Sequence, residues 1–258
     1  MKKNNLISIL ITNYNKEKFL EKCLDSVYKQ KYKNFEVILY DDCSSDNSLK
    51  IISRYKKIKL IKNLKRKNKS SAINQITGLY RAFKKSKGSI ICLLDGDDCY
   101  KENKLFEINK FFFKYQNFGG VFDIPITSKK KFKFRKNPNL IWPTIIPTSC
   151  ISVKKNIMNL FFKNVKKNSF QNLEIDARFT IFSYFYLGQY NILEKKLSYY
   201  NHDKNGITSN IKKFSKKWWL RRSEAFAYLR FVLNKKKKKF NYSIDFFLTC
   251  IIAQILKR

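Results

Sequence analysis

Two apolar runs in this chain end directly in clusters of acids. Residues 35–40 run into Asp41-Asp42, and residues 89–94, the most apolar run up to that point, into Asp95-Gly96-Asp97-Asp98. A short apolar run rich in β-branched residues reads as a buried strand. Residues 6–12 and 58–61 read the same way, and between these runs the period changes to that of a helix. Phe19, Leu20, Cys23, Leu24, Val27 and Tyr28 share one face within residues 16–30. Ala72, Ile76, Leu79, Tyr80 and Phe83 form a second stripe, and residues 103–115 a third helix. Ser44 to Asn47 supplies N-cap residues for a short helix between them. Strands alternating with helices predict an α/β fold, a mostly parallel Rossmann-like sheet with helices on both faces. In such sheets ligands bind at the carboxyl ends of strands, where both acid clusters fall.

The second half is less regular. After Gly119-Gly120 comes a basic stretch, residues 129–136, and then Pro138, Pro143 and Pro147. Residues 172–186 read as a helix with Ile175, Phe179, Phe182 and Tyr186 on one face, and residues 191–200 as a return to the sheet. A polar loop, 201–210, precedes a helix over 214–233 that carries Trp218, Trp219, Arg221 and Arg222. Residues 235–239 are all lysine, and residues 246–256 form a last apolar segment, shorter than the roughly 20 residues a membrane span needs. The chain therefore divides into a catalytic unit over 1–210, with halves 1–116 and 117–210, and a basic helical appendage over 211–258.

Net charge is +36, which raises a nucleic-acid or membrane-surface binding protein without catalysis as an alternative. Lys, Asn, Ile and Phe are all abundant together, the bias of an AT-rich genome, and a purely basic binder leaves the acid clusters unexplained. A phosphorelay receiver needs its paired acids after the first strand. A haloacid dehalogenase-type phosphatase needs its Asp-x-Asp there too. The six cysteines form no Cys-x-x-Cys pair, so neither zinc nor a redox motif is suggested. The N-terminus lacks the pattern of a signal peptide, which sets a cytoplasmic expectation, peripheral at the inner face of the membrane if the basic surface meets lipid.

The residue types suggest chemistry. Thr12 and Asp42 fall at the ends of neighbouring strands, where a carboxylate can accept the imide N–H of uracil and Tyr14 can stack on the base. Asp95 and Asp97, two apart at a strand end, can face one hard cation, and Mg²⁺ or Mn²⁺ readily completes its shell with a diphosphate. Asp176 lies beside an apolar helical face, with Glu174 two residues before it.

In their order these motifs resemble the family 2 glycosyltransferases of the GT-A fold. The matching text is ISILITNYNKEKFLEKCLDSVYKQKYKNFEVILYDDCSSDNS, then KGSIICLLDGDDCYKENKL, then EIDARF. The resemblance implies that Thr12, Tyr14 and Asp42 hold the nucleotide base. It implies that Asp95, Gly96 and Asp97 form the metal-binding Asp-x-Asp. Asp97 is then the direct ligand, Asp95 contacts metal or ribose, and Asp176 is the catalytic base. Three positions depart from the family. Cys43 stands where Gly is usual, and Glu102 where Pro is common. Ala72-Ile73-Asn74 replaces Ala-Arg-Asn, so a basic partner would have to come from Arg66 or Lys69. The Gln-x-x-Arg-Trp motif of processive synthases is absent. The expectation is an inverting glycosyltransferase. It uses a divalent metal, Mn²⁺ or Mg²⁺, and a nucleotide-sugar donor, UDP-linked by family analogy, to add one sugar to a glycan or glycolipid hydroxyl, with no nucleic-acid partner. His202, the single histidine, reads as a surface-loop residue.

Overall fold

The computed structural model describes residues 4–66, 70–127, 145–201, 206 and 211–257. Lys69, the basic stretch 129–136, Pro138, Pro143 and His202 lie outside the described residues.

One sheet of eight strands organises them: β1 (Ile7–Asn13), β2 (Phe35–Asp41), β3 (Ile58–Lys62), β4 (Ile90–Asp95), β5 (Cys99–Tyr100), β6 (Gly120–Ile126), β7 (Ile151–Lys154) and β8 (Ile192–Tyr199), in spatial order β3-β2-β1-β4-β7-β6-β8-β5. The first four strands are parallel, with Thr12 opposite both Tyr40 and Asp95. Beyond β4 the sheet is mixed: β7 is antiparallel to β4 and β6, β8 is parallel to β6, and β5 pairs antiparallel with β8.

The first strands are apolar on both sides because both faces are covered. Ile7, Ile9, Ile11, Val37, Leu39, Cys92 and Leu94 face one core with α1 (Glu17–Tyr28) and α4 (Lys104–Lys114). Leu10, Ile38, Ile91 and Leu93 face the other, with α3 (Ser71–Lys85), α5 (Lys155–Asn164) and α6 (Ile175–Ile181). The short α2 (Ser48–Ile52) lies between β2 and β3. Two helices close the chain, α7 (Lys216–Lys235) and α8 (Ile244–Ile255). Leu173, Ala177 and Ile181 join Ala225, Tyr228 and Val232 of α7 in a third core.

Several sequence expectations need correcting. The cap residues 44–47 serve two helices: Ser44 Oγ accepts from Asn15 N–H and Asp46 Oδ2 from Glu17 N–H at the start of α1, at 3.0 and 2.9 Å, while Asp46 Oδ1 accepts from the N–H of Ser48, the first residue of α2, at 2.9 Å. Asn47, at the N-cap position of α2, makes no side-chain cap bond. The helix expected over 172–186 is α-helical only over Ile175–Ile181. Asn172 is held outside it by Glu224, which accepts from its backbone and side-chain N–H groups at 2.6 and 2.8 Å. The helix continues as π turns over Phe182–Leu187 and ends on Gly188 at φ +66°, a left-handed stop that glycine adopts freely. The sequence pattern does not show β5, β6, β7 or α5.

Candidate active site

All seven residues expected to act line one cleft at the carboxyl ends of β1, β2 and β4. Thr12, Tyr14, Asp42, Asp95, Gly96, Asp97 and Asp176 surround about 400 Å³, joined by Lys16, Arg66, Gln75, Glu174 and Tyr200 among others.

The paired acids after β2 divide their work. Asp41 is buried and turned back into the fold, where its carboxylate accepts from Ser44 N–H, Ser44 Oγ and Asn13 Nδ2 at 2.9, 2.7 and 2.8 Å. Asp42 faces the cleft. Its oxygens accept from Asn63 Nδ2 at 2.9 Å and Arg66 Nε at 2.7 Å, and the Arg66 guanidinium lies 3.7 Å over the Tyr14 ring. Arg66 is thus the basic residue beside Asp42, on a ring face that a stacking base would use. Each carboxylate oxygen keeps a second lone pair, so Asp42 can still accept an imide N–H. Cys43, in the place of the family's glycine, has φ +63°. That left-handed conformation is what a glycine relieves.

The turn after β4 is held from below. Lys104, fully buried, donates to Asp123 Oδ1, Ser198 Oγ and the Ser149 carbonyl at 2.6, 2.7 and 2.6 Å. Ser149 Oγ in turn accepts from Asp95 N–H at 3.0 Å and donates to Asp98 Oδ2 at 2.5 Å, while Asp98 Oδ1 accepts from Asn201 N–H at 2.8 Å. Asp98 is therefore a buried brace of the loop, and burial beside Asp97 and Asp95 pushes its carboxyl well above the usual range. Gly96 fits a tight turn: a Cβ there would fall 2.8 Å from Asn13 Oδ1 and 3.2 Å from the Thr12 carbonyl oxygen, so a larger residue would have to displace the Asn13 side chain.

Asp95 accepts through Oδ1 from Thr12 Oγ1 at 3.0 Å and Gln75 Nε2 at 2.8 Å. Burial, with Asp97 nearby, raises it to about 6. Lys16 donates to Asp97 Oδ2 at 2.6 Å. The donor set suits a hard cation: two carboxylates at a strand end are what a Mg²⁺-like ion takes from protein when phosphates and water complete its shell. The ammonium on Asp97 is the kind of counter-charge such a cation would replace. Among the described residues no group of three or more His, Cys, Asp or Glu forms a fuller cage.

Opposite stand Glu174 and Asp176. Asp176, in the first turn of α6, accepts from Ala177 N–H at 2.7 Å and is pushed up to about 7, first by burial and then by the Glu174 charge, with Arg221 opposing. Glu174 is 3% exposed and ion-paired to Arg221 of α7 at 2.6 Å, while its Oε1 has no hydrogen-bond partner. The neighbour Arg178 points away and donates to the carbonyls of Val165, Lys166, Ser169, Phe170 and Leu173. It locks the loop before α6.

Sequence reading did not find Lys16, Gln75 or Ser149. Lys and Gln on helix faces look like any solvated residue, and Ser149 acts from a segment whose fold the pattern did not reveal.

A parallel N-terminal half continued by a mixed half, with its acids at the strand ends, is the GT-A architecture. Two solved structures share it. TarS of S. aureus, in complex with UDP-GlcNAc, superposes with a TM-score of 0.64 at 16% identity, covering 86% of this chain and 66% of that one. The mannosyltransferase PcManGT from Pyrobaculum calidifontis, in complex with GDP-Man and Mn²⁺, gives 0.58 at 17% identity, covering 96% and 69%. Residues 8–185 match the model of glycosyl transferase family 2, and the chain belongs to that family. A curated relative, the Escherichia coli UDP-Glc:alpha-D-GlcNAc-diphosphoundecaprenol beta-1,3-glucosyltransferase WfaP, is 35% identical over 130 residues, 47% of this chain and 49% of that protein. The chain spans half or less of the length of the first curated relatives it matches.

Proposed function

We propose that this chain transfers a single sugar, with inversion, from a UDP-sugar to a hydroxyl of a glycan or lipid-linked acceptor in surface-polysaccharide synthesis. The observation that carries the reading is the cleft: base-binding candidates, the Asp-x-Asp and a carboxylate of raised pKa line one space.

Thr12, Tyr14 and Asp42 hold the nucleotide base, with Arg66 moving off Tyr14 or stacking beside it. Asp97 and Asp95 hold Mn²⁺ or Mg²⁺, which when bound would neutralise charge on the diphosphate. Asp176 takes the proton from the acceptor hydroxyl. The oxygen forms its bond to the anomeric carbon from the face opposite the nucleotide, and the carbon–oxygen bond to the diphosphate breaks with its electron pair leaving on the diphosphate. A base that titrates near neutrality suits that task. Glu174, ion-paired to Arg221, lies close enough to Asp176 for its charge to raise the Asp176 pKa. The cleft also holds the reactants in line.

A UDP donor and a lipid-linked acceptor are supported by the relative whose name specifies UDP-Glc and a diphosphoundecaprenol acceptor, and by the UDP-GlcNAc complex of TarS. The GDP-Man complex of the archaeal enzyme keeps guanine as the second reading. The reading includes a catalytic unit over 1–210, an appendage over 211–258 and work at the cytoplasmic face of a membrane. The test is a donor panel of UDP- and GDP-sugars with Mn²⁺, scored by nucleotide release with a lipid-diphosphate acceptor. UDP release confined to UDP-sugars supports the reading. Release from GDP-mannose alone moves the base assignment, and binding of oligonucleotide with no turnover of any donor overturns it.

A further inference from the structure

We propose that α8 is a membrane-docking element that lays an outward-facing apolar stripe on a bilayer carrying anionic headgroups. This goes beyond the transfer reaction and does not depend on it.

The helix is inverted relative to an ordinary surface helix. Ile244, Phe247, Leu248, Ile251 and Ile255 are exposed, from 52% to 80%, and Tyr242 just before the helix is 56% exposed. At 3.6 residues per turn those five side chains fall within an arc of about 100°. The buried side holds the small residues Thr249 and Ala253, and Thr249 Oγ1 accepts from Arg222 Nε at 3.2 Å. Phe246 packs on Phe226 and Phe240, which seats α8 on α7. A helix normally turns its apolar stripe to the core. Here the core takes the narrow polar-tipped side, and the broad apolar side is left to the surroundings. A contiguous exposed apolar patch marks an interaction surface.

Charge selects the occupant. Lys235 to Lys239, at the end of α7 and in the link to α8, are all exposed, and the whole chain carries +36. An apolar stripe flanked by lysines matches the two halves of an anionic bilayer interface, acyl chains and phosphates. Twelve residues make a helix about 18 Å long, which fits in the plane of the interface and does not cross it. No helix among the described residues is long and apolar enough to cross a membrane. The device is tied to the cleft by adjacent residues of α7: Arg222 pairs with Asp245 of α8, and Arg221 pairs with Glu174. Docking would thus act on the helix that holds the cleft's second carboxylate.

The experiment is flotation of the full chain with vesicles of phosphatidylcholine, alone or mixed with phosphatidylglycerol. Wild type should float with the mixed vesicles, and raised salt should weaken it. The variant Phe247→Gln, Ile251→Gln, Ile255→Gln should lose at least tenfold in partition, as should lysine-to-glutamine changes at 235–239. Equal flotation on both vesicle types, or wild-type flotation by the triple variant, overturns the proposal. So does a wild-type dimer in light scattering that the triple variant dissolves, because a second copy then covers the stripe. If the triple variant does not fold, the single variant Leu248→Trp decides. Quenching of its added fluorescence by brominated phosphatidylglycerol supports insertion, and no quenching overturns it.

Discussion

Lys16 Nζ lies 2.6 Å from Asp97 Oδ2, so an ammonium from the start of α1 pairs with the carboxylate proposed as the metal ligand. The contact joins the first strand–helix turn to the acidic turn after β4. If Asp97 binds the metal as proposed, Lys16 competes with it. Replacing Lys16 by glutamine should tighten Mn²⁺ binding in the absence of nucleotide by several-fold, read by calorimetry. Unchanged or weaker binding would show that Lys16 does not compete.

Asp97 and Asp98 should separate cleanly. Asp97→Asn should weaken metal-dependent UDP binding and nearly abolish transfer. Asp98 is buried between Ser149 and Asn201 with a raised pKa, so its neutral form resembles an amide. Asp98→Asn should therefore melt close to wild type. Asp98→Ala should lose about 1–3 kcal/mol, because two buried partners are left unpaired. Thermal melts of both variants, with UDP titrations of Asp97→Asn, check the division.

Asp176→Asn should lower kcat by about 10²–10⁴, the usual worth of a general base, while UDP affinity stays near wild type. Activity should rise with pH through about 7 as Asp176 loses its proton. Glu174 raises that pKa and Arg221 lowers it. Glu174→Gln should keep kcat largely intact and move the acid limb to lower pH, and Arg221→Gln should move it higher. A dead Glu174→Gln beside an active Asp176→Asn would shift the base by two residues.

The same carboxyl makes a stability prediction. A folded-state pKa raised above the unfolded value means that the native state binds more protons between them, so stability falls as pH rises through about 7. Asp176→Asn should melt higher than wild type at pH 8, and the difference should shrink steadily as pH falls toward about 4. The opposite pH order in paired thermal scans would contradict the burial of this group.

Arg178 should be among the least replaceable residues. Its guanidinium donates to five backbone carbonyls of residues 165–173, and an ammonium has only three donors on a point charge. Arg178→Lys should cost roughly 3 kcal/mol or more in denaturant unfolding.

The N-terminal half was legible in the sequence because its signals are local. Strands buried on both faces must be apolar throughout, their helices must carry one apolar stripe, and the acids that interrupt this pattern stand at strand ends. Thr12, Tyr14, Asp42 and the Asp95-Gly96-Asp97 turn are therefore marked by their neighbours in the chain. The second half was not legible in this way. β7 has four residues and β5 two, too short to show a period, and they exist only because β4, β6 and β8 offer them edges. The division between Asp41 and Asp42 was equally hidden, since Asp41 ends β2 and Asp42 follows it, and identical neighbouring side chains differ only in what the folded chain sets against them. The same holds for Glu174 and Asp176. Adjacent arginines on α7 send one side chain to Glu174 and the other to α8, and only the packing of α7 on α6 decides which carboxylate is neutralised and which is left with a raised pKa. Residue type and local period determine which groups a chain can offer. Burial and the charges brought in from distant segments determine their protonation, and those exist only in the folded molecule.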